Sequence, residues 1–310
     1  MTPDEHTIRE FYIEVGDGHE LYVQDWGNKK AKHPIVLLHG GPGGGTSDSF
    51  KHRFDPTQHR VVFFDQRGSG KSLPLGSLEH NTTDHLIEDI NKITAQLKIS
   101  SFMLAGGSWG STLALAYAVK HPQKVQAMVL DGIFTGSHAE IDYFDKGQFR
   151  TWFPEVWKHY LAATPKEHHE SPTQFHYKRI LGKNEDEART SACAYSNMEC
   201  ALLSLDDRFT PCSPSDPAFD PSSLRIEVHY LANRCFMPDR HIFNNARKLT
   251  MPVWLVQGRY DMVCPPSTAY ELHQKLPKSQ LIWTIGGHRS SERETQTAVR
   301  AIMLQFGGEK

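Results

Sequence analysis

Gly106-Gly-Ser-Trp-Gly-Ser111 lies between an apolar run at residues 102–105 and a stretch of small, helix-forming residues at 112–120. It matches the G-x-S-x-G nucleophile elbow, in which a strand turns sharply into a helix and exposes a serine hydroxyl. The two flanking glycines have no Cβ, so strand and helix can approach each other closely around a strained Ser108. The alternative is an ordinary glycine-rich turn, which the five-residue pattern alone does not exclude.

Composition argues against several classes of function. The chain has 310 residues, a net charge of −2 and no basic block, so we expect neither nucleic acid nor an anionic membrane as a partner. No signal peptide is predicted in the polar residues 1–10, and no apolar stretch is long enough to cross a bilayer. The five cysteines are odd in number and lack C-x-x-C spacing, which predicts reduced thiols in a cytoplasmic protein.

Apolar runs predict a mostly parallel sheet whose strands are buried on both faces. Strands are predicted at residues 21–26, 35–38, 61–64, 102–105, 127–130, 253–257 and 280–285, and helices at 83–97, 112–120, 149–163 and 186–205. A last helix is predicted to open with a capping box of Ser291 and Glu294. We expect an α/β core at 1–135 and 245–310, with helices on both faces of the sheet, and an inserted helical cap at 136–244.

A serine nucleophile needs a base, and the base needs a carboxylate that orients it. In elbow-bearing folds these partners follow the serine in the order acid, then histidine, each after a strand. Asp261 and His288 have these positions, because they follow the last two predicted strands. Asp131 also ends a predicted strand and competes with Asp261 as the acid. His39 competes as the base, although it precedes the serine.

A glycine-rich turn, His39-Gly-Gly-Pro-Gly-Gly-Gly45, follows another predicted strand. A tetrahedral intermediate needs preset backbone N–H donors for its oxyanion. Such a turn can bring one donor close, and the residue after the nucleophile supplies the other. We therefore expect the oxyanion hole at the amides of Gly41 and Trp109. The alternative, a loop that cradles phosphate, is disfavoured because neither a lysine nor G-x-G-x-x-G follows.

Gly68-Ser-Gly-Lys-Ser72 resembles the end of a P-loop and follows a predicted strand. A full P-loop needs glycine at position 65, where this chain has Asp65. Asp65-Gln-Arg-Gly is therefore interpreted as a structural turn beside the site, and ATP binding becomes a minor alternative.

Together with Gly258-Arg-Tyr-Asp261, these glycine-rich motifs and the elbow resemble those of proline iminopeptidases (prolyl aminopeptidases) in the α/β-hydrolase superfamily. The similarity runs through nearly the whole chain, and the pair HGGPGG and GGSWG is fairly specific to this group. The resemblance implies an α/β-hydrolase fold and release of N-terminal residues, chiefly proline, from peptides. It also implies that neither a metal nor a cofactor takes part.

The resemblance also implies two glutamates that bind the free amino terminus of the substrate. The family carries them in W-x-x-W-E and E-N-H-Y segments, which match Tyr195-Ser-Asn-Met-Glu199 and Glu227-Val-His-Tyr230 here. Both glutamates are present, whereas both tryptophans and the asparagine are replaced. A carboxylate pair selects an ammonium, because a blocked amino terminus would leave buried carboxylates uncompensated.

The resemblance further implies a small pocket for the proline ring, lined by Phe134, Phe144, Leu231 and Cys264. At position 131 the family usually has an arginine that pairs with a cap glutamate, whereas this chain has Asp131. Our hypothesis is that Asp131 adds a third carboxylate to the substrate site. Like charges nearby would then raise the pKa of one member and change the pH dependence of activity.

We therefore predict a cytoplasmic serine exopeptidase that acts on short peptides with a free N-terminus; a monomer is favoured. The first alternative is a carboxylesterase or amidase of the same fold without a strict requirement for a free amine. An alternative of another class is a catalytically silent binding protein, which would require a broken triad.

Overall fold

The computed structural model describes residues 6–205 and 209–306, which form one eight-stranded sheet with helices on both sides. The strands are β1 (Thr7–Gly16), β2 (His19–Gly27), β3 (Ile35–Leu38), β4 (Arg60–Phe64), β5 (Phe102–Ser108), β6 (Val125–Ile133), β7 (Val253–Gly258) and β8 (Ser279–Thr284). Their order is β1-β2-β4-β3-β5-β6-β7-β8. The pairs β1–β2 and β2–β4 are antiparallel, and the other pairs are parallel. The prediction of a mostly parallel sheet is confirmed.

Ten α-helices accompany the strands in the described residues. They are α1 (Thr83–Gln96), α2 (Trp109–Lys120), α3 (His138–Asp145), α4 (Pro154–Ala162), α5 (Pro172–Ile180), α6 (Glu185–Cys200), α7 (Ser222–Ala232), α8 (His241–Asn245), α9 (Pro266–Lys275) and α10 (Arg293–Leu304). None of them is both long and apolar enough to cross a membrane.

Both faces of the sheet are buried, as the apolar runs predict. In β3, Val36 and Leu38 pack into one hydrophobic cluster with α1, α2 and α9, whereas Ile35 and Leu37 pack into another with α10. Successive side chains of a strand point to opposite faces, so four consecutive apolar residues serve both layers. The sheet is thereby held rigid, and the carboxyl ends of its parallel strands meet at one edge.

Helices α3 to α8 lie between β6 and β7 in the chain. Five of them, α3 to α7, contribute to a third hydrophobic cluster with buried aromatic side chains such as Phe149, Tyr160, Tyr177 and Tyr195. Met262 and Val263, from the loop after β7, pack against this cluster. The aromatic-rich segments of the sequence therefore form a core of their own next to that loop.

Several features of the chain differ from the sequence predictions: α9 was not predicted, and α3, α5, α7 and α8 were expected only as part of a helical segment. Strand β1 was not predicted, because it is an edge strand whose outward side chains are charged and polar. The capping box of Ser291 and Glu294 is wrong: α10 begins at Arg293, and Glu294 Oε2 accepts the amide of Ile285 at 2.7 Å. A capping box does form at α3, between Ser137 and Glu140.

Candidate active site

Ser108 ends β5 and immediately precedes α2. Its φ of +55° lies in the left-handed region, a strained conformation for a serine that the surrounding structure must impose. A Cβ at position 106 would lie 2.6 Å from the carbonyl oxygen of Gly110. A Cβ at position 110 would collide with the carbonyl oxygen of Leu38. The stretch is thus a strained elbow that requires both glycines, and not an ordinary turn.

Asp261 and His288 come together at the carboxyl ends of β7 and β8. His288 Nδ1 lies 2.8 Å from Asp261 Oδ2, and Gln257 Nε2 donates to the same oxygen at 3.0 Å. The amides of Val263 and Cys264 donate to Asp261 Oδ1 at 3.0 and 2.8 Å. These donors fix the carboxylate and, through it, the orientation of the imidazole.

The environment makes His288 a strong base. Burial alone would lower its pKa, but the charge of Asp261 and the hydrogen bond between them outweigh burial and raise the pKa well above the usual value for histidine. His288 and Ser108 both line one cavity. Ser108 and the hydrogen-bonded pair of His288 and Asp261 therefore meet at one cavity, and the triad stays a prediction.

Asp131 is not the partner of His288. It is 1% exposed, and its Oδ1 accepts a hydrogen bond from Arg53 Nη1 at 3.1 Å. A Cβ added to Gly107 of the elbow would lie 2.7 Å from its other oxygen, Oδ2, so the carboxylate packs directly against the elbow. Asp131 lines a cavity together with Glu199 and Glu227, but Arg53 from a distant part of the chain pairs with it, so Asp131 does not add an unpaired charge there.

Both ring nitrogens of His39 already have hydrogen-bond partners near the glycine-rich loop. The amides of Gln66 and Gly45 lie 3.0 Å from its Nε2 and 3.2 Å from its Nδ1, and burial lowers its pKa. The Gln66 side chain donates to the carbonyl of His39 and accepts from Trp109 Nε1, which links the glycine-rich loop to the elbow. His39 therefore supports the position of this loop and has no contact with Asp261.

The segment that resembles a P-loop surrounds a carboxylate. Asp65 accepts hydrogen bonds from the amide and hydroxyl of Thr46 at 2.6 and 2.7 Å, and from the amide of Lys71 at 2.8 Å. A Cβ at position 70 would collide with the same carboxylate. The donors that would hold a phosphate in a P-loop here hold Asp65, so the segment is a structural turn.

Two cavities meet at Ser108. The smaller, of about 50 Å³, has the four predicted pocket residues in its lining: Phe134, Phe144, Leu231 and Cys264. The larger, of about 580 Å³, is bordered by His288 and Asp131 among others. Gly41, Ser108, Glu199 and Glu227 line both. The amide of Trp109 belongs to the first turn of α2, where a helix leaves N–H groups without intrahelical acceptors.

We infer that Glu199 on α6 and Glu227 on α7 hold one proton between them, because two neighbouring buried carboxyl groups do not both ionise readily. Burial raises the pKa of both, and the charge of Glu199 raises that of Glu227 further. The hydrogen bond between the two side chains lowers the pKa of Glu199 and raises that of Glu227.

Tyr195 belongs to this site and was not predicted as a site residue. It is fully buried in the wall of the smaller cavity, and its hydroxyl donates to Glu227 Oε1 at 3.0 Å. Its position four residues before Glu199, one helical turn, was the available signal.

One group of side chains elsewhere offers atoms close enough to hold a metal: Asp17, His80 and His85, whose candidate atoms lie within 4.8 Å of one another. Arg67 Nη1 donates to Asp17 Oδ2 at 3.3 Å, so a cation already occupies one side of this group. None of the three lines either cavity at Ser108.

The sheet, the elbow and the strand-end histidine define an α/β hydrolase, and residues 33–289 match the model of the alpha/beta hydrolase fold family. Among solved structures, the chain superposes on an esterase from Exiguobacterium antarcticum with a TM-score of 0.65 at 19% identity, covering 97% of this chain and 100% of the esterase. An enol-lactonase from Burkholderia xenovorans gives a TM-score of 0.64 at 18% identity, covering 96% and 99%. At such low identities these likenesses show the fold alone.

Sequence relatives are more specific. The chain is 39% identical over 305 residues to a proline iminopeptidase of Xylella fastidiosa, covering 96% of this chain and 95% of the relative. It is 40% identical over 285 residues to a proline iminopeptidase of Arabidopsis thaliana, covering 90% and 75%. The chain belongs to the proline iminopeptidase family of α/β hydrolases.

Proposed function

We propose that this chain is a serine exopeptidase that releases N-terminal proline from peptides through an acyl-enzyme. One observation carries the proposal: Ser108 borders a cavity of about 50 Å³ that also holds Glu199 and Glu227. The apolar side chains in the lining, Phe134, Phe144, Leu231 and Cys264, suit a small aliphatic ring. The two glutamates are placed to bind the free amine of the same residue.

The reaction follows from the positions of the side chains. Ser108 attacks the carbonyl of the first residue, while His288, oriented by Asp261, takes the serine proton. The amides of Gly41 and Trp109 stabilise the oxyanion. His288 then protonates the departing amine, and a water molecule repeats the sequence to release the amino acid.

The shared proton gives the glutamate pair one negative charge. An N-terminal proline carries one positive charge and two N–H donors on its ring nitrogen, so it matches the pair in charge. An acetylated proline brings no charge and no N–H, and it would leave the Glu199 carboxylate uncompensated in a partly buried site. This mismatch is the basis of the requirement for a free amino terminus.

Three substrates test the proposal: a proline arylamide, its N-acetyl derivative and a simple acyl ester. We expect rapid cleavage of the first, at least ~100-fold slower cleavage of the second, and loss of activity in Ser108→Ala by several orders of magnitude. Equal cleavage of free and acetylated proline would favour the carboxylesterase alternative. Absence of any hydrolysis would favour the binding protein.

We also propose that residues 136–244 act as the cap of the site, since Glu199, Glu227 and the third hydrophobic cluster come from this segment. A cytoplasmic location is supported by five cysteines that are all free thiols. Cell fractionation with an antibody to the chain tests the location, and recovery outside the cytoplasm would contradict it.

A further inference from the structure

The larger cavity at Ser108 is not needed for the proline residue. The smaller cavity, about 50 Å³, accounts for the ring, and the larger is about 580 Å³. His288, which must protonate the departing amine, borders the larger one. Under the proposed function, the larger cavity is where the rest of the peptide lies.

We propose that this cavity is a subsite for a short departing fragment and that Arg289 binds the fragment's terminal carboxylate. The substrate class would then be di- and tripeptides that begin with proline and end in a free carboxylate. The inference rests on the proposed function and adds to it a preference at the other end of the substrate.

The charges that border the cavity single out Arg289. Glu199 and Glu227 face the amino terminus, Asp131 is paired with Arg53, and His288 serves the reaction. Arg289 is exposed, and within the described residues no hydrogen bond or ion pair involves its guanidinium. Among the described residues, the lining therefore presents one arginine without a partner, in the cavity where the departing fragment would lie.

Arg289 is also well placed by the backbone. The amides of His288 and Arg289 both donate to the carbonyl of Leu203 at 2.9 Å, which fixes this loop against the segment after α6. A residue extends the chain by about 3.5 Å, so a fragment of one or two residues has its carboxylate about 3.5–7 Å beyond the scissile nitrogen. An arginine side chain adjacent to His288 can cover this range.

The test compares prolyl-alanine and prolyl-alanyl-alanine with their C-terminal amides, using the purified full chain. We expect kcat/KM of the wild type to be about tenfold higher or more for the free acids, as for one charge-assisted hydrogen-bond pair. In Arg289→Ala the acid-to-amide ratio should approach one, and in Arg289→Glu it should invert. Arg293→Ala is the matched control: it also removes an exposed arginine, which does not line the cavity, and should keep the wild-type ratio.

The possible outcomes distinguish a failure of the carboxylate subsite from a failure of the proposed peptidase activity. If the wild type cleaves a proline arylamide but treats acids and amides alike, the carboxylate subsite is refuted and the peptidase stands. If the preference exists but survives Arg289→Ala and Arg289→Glu, the assignment to Arg289 is refuted. If the arylamide is not cleaved, the proposed function itself fails and this inference fails with it.

Discussion

The two glutamates should respond differently to replacement by glutamine. We expect the shared proton to lie on Glu227, because the interaction with Glu199 raises the pKa of Glu227 and lowers that of Glu199, and the Tyr195 hydroxyl also donates to Glu227. A glutamine at position 227 keeps this arrangement, since its amide N–H can donate to Glu199 and its carbonyl can accept from the tyrosine. A glutamine at position 199 removes the only ionised member of the pair.

The sizes of the two effects follow from the charges. In Glu199→Gln the proline ammonium enters a largely desolvated site without a counter-charge, which costs about 2–5 kcal/mol, or roughly 30- to 5000-fold in kcat/KM. In Glu227→Gln only the quality of neutral hydrogen bonds changes. That change costs about 0.5–1.5 kcal/mol, or roughly 2- to 12-fold.

The assay is kcat/KM for a proline arylamide, measured for the wild type and both variants at one pH in the range where the wild type is fully active. Circular dichroism and thermal melts establish that both variants are folded. A loss in Glu227→Gln equal to or greater than that in Glu199→Gln would refute the assignment of the proton. It would show that Glu227 carries a negative charge when the substrate binds.

Three further predictions concern the base and the buried ion pair. Because the raised pKa of His288 must be exceeded before the base is neutral, kcat/KM should fall as the pH falls through a value above ~6.5, and a midpoint below this would contradict the electrostatics. Asp261→Asn should lower the turnover about 10⁴-fold, as loss of the orienting carboxylate does in other triads, and near-normal turnover in a stopped assay would exclude Asp261. Asp131→Asn should reduce the free energy of unfolding in urea by about 3–5 kcal/mol, since it leaves Arg53 buried without its partner. The surface variant Asp84→Asn, which breaks an exposed contact with Lys120, should cost at most ~1 kcal/mol, and similar losses in both variants would contradict the first value.

The sequence was most informative about candidate catalytic residues that lie at or just after the end of a strand. Ser108, Asp261 and His288 each lie at or just after the carboxyl end of a parallel strand, so a correct strand prediction brought them to one edge of the sheet. The fold followed from the same local signals. Strand β1 gave no such signal, because two consecutive exposed residues, Arg9 and Glu10, interrupt the alternation that marks a strand.

Local sequence patterns could not predict ion pairs between residues that are far apart in the chain. Arg53 and Asp131 are 78 positions apart, and no local pattern connects a short helical turn after the glycine-rich loop with the end of β6. The substitution at position 131 therefore suggested an unbalanced carboxylate, when the balancing cation was present on another element. The same reason explains the missed link between the carbonyl of Leu203 and the loop of His288.

The carboxylates around Ser108 can be sorted by what neutralises each of them. Asp131 has Arg53, and Asp261 has His288 and backbone amides. Two more acids, Glu140 and Asp145, accept hydrogen bonds from hydroxyl, amide and backbone donors in the wall of the smaller cavity.

Glu199 and Glu227 line both cavities, and within the described residues neither of them forms an ion pair. Under the proposed function, this arrangement accounts for a requirement for a free amino terminus. An ammonium at the first residue supplies the missing cation, and it does so one residue's length from the carbonyl that Ser108 attacks.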